Sequence, residues 1–118
     1  MAILDRFFSI LLLLGSAGHT AGTFIFYSWP SEIFVWSLAT SLAGFVIGAI
    51  NLLRVTRAHD TALAWTCAVS ALAWVGIVIA FGVVEGNVFD PRVVVHAIAA
   101  AGLVAMSVRT IMRAGSPH

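Results

Sequence analysis

Read along the chain, the apolar positions fall into four long runs rather than into alternating strands. They cover about Phe7 to Ser28, Ile33 to Arg54, Thr61 to Val84 and Val93 to Arg113. A hydrocarbon core of about 30 Å takes roughly 20 helical residues to cross, so each run predicts one transmembrane helix. Runs this long without alternation do not fit the strands of a membrane barrel. Lipid also forces each exposed backbone to bond within its own helix.

The breaks between runs carry turn and cap chemistry. Ser28-Trp29-Pro30-Ser31-Glu32 puts a proline between spans one and two and an acid in the next first turn. Asp60 stands where an N-cap of span three belongs, and Asp90-Pro91 supplies an N-cap and a first helical proline for span four. Links this short join antiparallel neighbours. The expected fold is a single all-α domain over residues 1–118, an up-down-up-down bundle of four transmembrane helices. The Leu11 to Leu14 run followed by Gly15-Ser16-Ala17 has the outline of a leader's apolar region, but it is read here as the first span.

Composition agrees with the runs: 61% of the 118 residues are hydrophobic and 9% charged, far from the quarter that a soluble domain carries. The basic residues are all arginine. Arg6, Arg54, Arg57, Arg109 and Arg113 fall at one end of the predicted bundle and Arg92 at the other, which predicts that both termini are cytoplasmic. The expected location is a bacterial inner (plasma) membrane. A net charge of +1, with the arginines flanking spans, gives no nucleic-acid footprint. The single Cys67 excludes an intrachain disulfide and paired-thiol chemistry.

Between helices in lipid there is no hydrophobic drive, so small residues and a few polar contacts must hold them together. Gly18 with Gly22 and Gly44 with Gly48 are GxxxG pairs, and Ala97 with Ala101 is the small-residue equivalent. On span two Ser37, Ser41, Gly44, Gly48 and Asn51 follow helical steps and draw one small, polar stripe. His19 lies near the middle of span one, beside Gly15, Ser16, Gly22 and Thr23. An ionisable group there is costly and marks a candidate function, or else a neutral imidazole that fixes helix register.

Candidate chemistry gathers in the outer half. His19, Thr23, Ser37, Ser41, Trp74, Glu85 and His96 would line an outward-opening pocket for a lipophilic small molecule or lipid, floored by His19 and rimmed by His96 and Glu85. Levelling the span ends puts His96 roughly 10 Å nearer the outside than His19, too far for the two to ligate one haem b iron. No cofactor and no metal is predicted. In length, span number and the segment Trp29-Pro30-Ser31 the chain resembles the small multidrug resistance family, as does the tail Ser116-Pro117-His118; the resemblance implies a proton-coupled carrier. That family uses a carboxylate in its first span, and no acid lies between Arg6 and Glu32 here. The expected partners are the bilayer, a lipophilic ligand, and a second copy of the chain or a larger membrane complex in which it is an accessory subunit.

Overall fold

The computed structural model describes residues 2–116; the rest of the tail, Pro117 and His118, lies outside the described residues. Four helices follow one another: α1 (Ala2–Phe26), α2 (Glu32–Val55), α3 (Thr61–Val84) and α4 (Pro91–Ala114). All four are long and apolar enough to cross a membrane. At 1.5 Å per residue each reaches roughly 36 Å, beyond a hydrocarbon core of about 30 Å.

Cap chemistry sets where the helices start. Ser31 Oγ accepts from the Phe34 amide at 3.3 Å, and Asp60 Oδ1 from the Leu63 amide at 2.9 Å. Asp90 Oδ1 accepts from the Arg92 amide at 2.8 Å, with Pro91 in the first turn where its missing N–H costs nothing. At the end of α3 Gly86 has φ of +74°, a left-handed conformation that closes the helix and suits a residue without Cβ. Its turn lets the Asn87 amide donate to the Gly82 carbonyl at 2.9 Å. One boundary differs from expectation. α1 begins five residues before Phe7, so Asp5 and Arg6 lie within the helix and not in a preceding tail. An apolar run marks where a helix enters lipid, not where its backbone hydrogen bonding begins.

α1 packs most closely on α2 and α3 on α4, α1 also meets α4, and α2 touches α3 least. Side-chain pairings run in reverse order along α1 and α2: Thr23 meets Ser37, Ser16 meets Gly44, and Asp5 meets Arg54. Along α1 and α4, Phe8 meets Gly102 and Gly15 meets His96.

The interior is small and polar while the exterior is large and apolar. Buried positions include Ser9, Ser16, Thr23, Ser37, Ser41, Asn51 and Ser107, besides Ala64, Ala68, Ala71, Ala99 and Ala100. Leu12, Ile47, Trp74 and Leu103 supply the bulk of the core. Exposed side chains include Phe7, Leu14, Phe24, Leu42, Val69, Leu72, Ile79 and Ile98. A protein folding in water buries the second set and exposes the first. Lipid removes that drive and rewards close backbone approach and hydrogen bonding instead.

The predicted α2 stripe is the buried face of that helix. Gly44 and Gly48 admit Ser16 and Leu13 of α1 into space that a Cβ would take. The pair expected on α1 meets no other helix within the chain. Gly18 is exposed with nothing within 4 Å of where its Cβ would stand, and Gly22 would touch only Phe26 of its own helix. The face α1 buries is Ser9, Leu12, Ser16 and Thr23, to one side of those glycines. On α4 the buried small residues are Ala99 and Ala100, whereas Ala101 is exposed. Gly102 provides a close approach that no spacing rule marked, since a Cβ there would lie 2.5 Å from the Phe8 ring.

Candidate functional site

Several polar residues of the half expected to face outward meet one another. His19 sits at the edge of the buried α1 face, where its Nε2 lies 3.1 Å from Ser37 Oγ on α2. Ser37 Oγ in turn lies 2.6 Å from Thr23 Oγ1, whose hydroxyl donates back to the His19 carbonyl at 2.9 Å. Ser41 Oγ donates to the Ser37 carbonyl at 3.3 Å. This closed set ties α1 to α2 at one register. It brings together four of the predicted residues, His19, Thr23, Ser37 and Ser41.

Trp74 and His96 form a second pair, on α3 and α4. Trp74 is 4% exposed, and its indole N–H donates to His96 Nδ1 at 3.4 Å with ring centroids 5.9 Å apart. His96 Nε2 lies against Gly15, where an added Cβ would stand 2.9 Å away. His96 therefore meets α1 one turn before His19, about 6 Å along the helix, and not roughly 10 Å beyond it. The depth estimate failed because it set the ends of α1 and α4 level. α1 runs on past the start of α4, as the pairing of Gly15 with His96 requires.

Glu85 stands apart from both sets. It is the exposed C-cap residue of α3, 11 residues beyond Trp74. Nearby, Asp90 forms an ion pair with Arg92 at 2.9 Å. Hydrogen bonds from the Arg92 guanidinium and amide pull the Asp90 carboxyl down to about 2.

The other end of the bundle holds a site the sequence reading did not assemble. Arg54, in the last turn of α2, is buried at 1% exposure and forms an ion pair with Asp5 of α1. Its Nη1 donates to Thr110 Oγ1 at 2.8 Å and, more distantly, to the Met106 carbonyl at 3.4 Å; its Nη2 reaches Asn51 Oδ1 at 3.4 Å. Ser107 donates to the same Asn51 oxygen at 3.3 Å. The Arg54 Nε–H is buried without a partner. Next to this cluster is a cavity of about 580 Å³, lined by Asp5, Arg54, His59, Arg109, Thr110 and Arg113 among others. It draws on the start of α1, the end of α2, the α2–α3 link and the end of α4. Among the described residues neither Arg109 nor Arg113 forms an ion pair.

The class of molecule is thus defined by four helices long and apolar enough to cross a membrane, the build of an integral membrane protein. Compared with models of known protein families, with curated proteins and with solved structures, the chain matches none.

Proposed function

We propose that this protein is an up-down-up-down bundle with both termini in the cytoplasm, and that it binds an amphipathic ligand by its anionic end in the arginine-lined cavity. The reversed pairing of α1 with α2 and with α4 supports the topology. Five arginines at one end against one at the other support the orientation. The cavity carries the functional reading, because it joins free space to an excess of positive charge at the depth of the inner headgroups. Val55 and Met106 add apolar wall to the cavity, along which an acyl or similar chain would lie.

This keeps a lipophilic ligand but moves its site from the outer half to the inner end. Native mass spectrometry of protein extracted in mild detergent tests the move. An anionic amphiphile retained by the wild-type chain and by His19→Ala, and lost from Arg109→Gln/Arg113→Gln, is the expected result. Loss on His19→Ala with retention in the arginine variant would restore the outward pocket.

A second reading, a subunit that docks on another copy or on a membrane complex, draws on Gly18 and Gly22. They leave a small-residue face of α1 unpacked within the chain. A particle holding one chain and no partner after gentle extraction overturns it.

A further inference from the structure

We infer that the anionic group this cavity takes is a phosphate bearing about two negative charges, a phosphomonoester. The inference rests on the cavity being a ligand site and goes on to name the chemistry that it recognises. Of the charged side chains lining the cavity, Arg54, Arg109 and Arg113 are cationic and Asp5 is anionic. Asp5 is committed to Arg54, so two positive charges remain without a counter-charge among the described residues.

Those two are placed as a pair. Arg109 and Arg113 stand four residues apart on α4, a spacing that puts both guanidinium groups on one face, where like charges repel until an anion lies between them. Guanidinium is a planar fork of donors that matches phosphate oxygens two at a time. Arg54, its charge already answered by Asp5, forms a fixed wall beside them, since it is buried and held by Asp5 and Thr110. The Nε–H of Arg54 is buried without a hydrogen-bond partner.

The charge count selects the ester. A phosphomonoester carries about 1.5 to 2 negative charges at neutral pH because its second proton leaves near pH 6. A phosphodiester headgroup carries one and would leave one arginine unmatched. The shared chemistry belongs equally to a lipid with a terminal phosphate and to a soluble phosphomonoester, and the depth of the site admits either.

The test uses the full chain in phosphatidylcholine nanodiscs. Phosphatidic acid and phosphatidylglycerol are titrated in as competing lipids, and inorganic phosphate is added separately; binding is read by native mass spectrometry. Phosphatidic acid should be retained about tenfold more tightly than phosphatidylglycerol, and about tenfold less tightly by Arg109→Gln/Arg113→Gln. That variant still leaves Arg6, Arg54 and Arg57 at the inner end, so orientation is kept, and its helical circular dichroism serves as the folding check. If inorganic phosphate binds to the wild type and phosphatidic acid does not, the dianion site stands with a soluble source, and the amphiphile reading falls. If phosphatidylglycerol is held as tightly as phosphatidic acid, the phosphomonoester inference falls and the amphiphile reading stands. If neither lipid nor phosphate distinguishes the wild type from the arginine variant, both fall.

Discussion

Removing Asp5 tests the inner cluster most directly. Arg54 is 1% exposed and Asp5 16%, which takes the pair out of the surface regime, where such contacts contribute about 0 to 1 kcal/mol. With Asp5→Ala the guanidinium keeps one good acceptor, Thr110 Oγ1 at 2.8 Å, and two long ones at 3.4 Å. None of these carries a charge. Breaking a buried pair from one side costs about 3 to 5 kcal/mol, because the remaining charge is left desolvated. The partial exposure of Asp5 places this case near the lower end, about 3 kcal/mol.

Replacing both members has a different effect. Asp5→Ala/Arg54→Met removes the uncompensated charge along with its partner, and the stability should return to within about 1 kcal/mol of the wild type. Reversible unfolding by sodium dodecyl sulfate in mixed micelles, followed by helical circular dichroism, measures all the variants on one scale. The reasoning fails if Asp5→Ala costs less than about 1 kcal/mol. It fails equally if the double variant is no more stable than the single one.

The same unfolding assay separates glycines that pack from one that does not. Gly44→Ala, whose Cβ meets Ser16 Oγ and approaches Trp74, and Gly102→Ala, which meets the Phe8 ring, should each cost about 1 to 3 kcal/mol. Gly18→Ala should stay within about 0.5 kcal/mol of the wild type; a large loss there would move the α1 contact face. Ser37→Ala, which removes the hydroxyl shared by His19 and Thr23, should cost about 0.6 kcal/mol, the average for an interhelical hydrogen bond in a membrane protein. No loss in that variant would mean that the outer set does not fix register. For Asp90, the carboxyl carbon shift followed by NMR should titrate near 2. Because its folded value lies below the unfolded one, its contribution to capping α4 is complete above about pH 4 and fades as the pH falls toward 2. Arg92→Gln should move the midpoint up toward the ordinary carboxylate range, and an unmoved midpoint would contradict the assignment.

Four apolar helices and the N-caps of α3 and α4 were legible because the signals are local. A cap needs only a side chain and an amide two or three residues on, and Asp60 and Asp90 announce themselves. The α2 stripe was legible for a related reason, since Ser37, Ser41, Gly44, Gly48 and Asn51 leave that helix only one small face. α1 carries small residues on more than one side, and spacing cannot say which side a neighbour takes. Gly18 and Gly22 made the better motif, yet Ser9, Leu12 and Ser16 make the contact. Asp5 was hidden by its position before the apolar run, where a charge reads as a boundary. Its partner Arg54 is 49 residues away. The inner cavity was hidden in the same way, for it takes single residues from helix ends that each read as membrane anchors.

The two ends of the bundle use polarity differently. Around His19 the polar atoms of His19, Ser37 and Thr23 turn toward one another, as a register device requires, and further charge would only add cost. At the opposite end Asp5 already answers Arg54, while Asn51, Ser107 and Thr110 complete that cluster. Packing therefore has no need of Arg109 and Arg113. Orientation does not need them both either, because Arg6, Arg54 and Arg57 alone outnumber Arg92. Two cations of one helix face, set beside a cavity and required neither by the fold nor by insertion, support the proposed ligand.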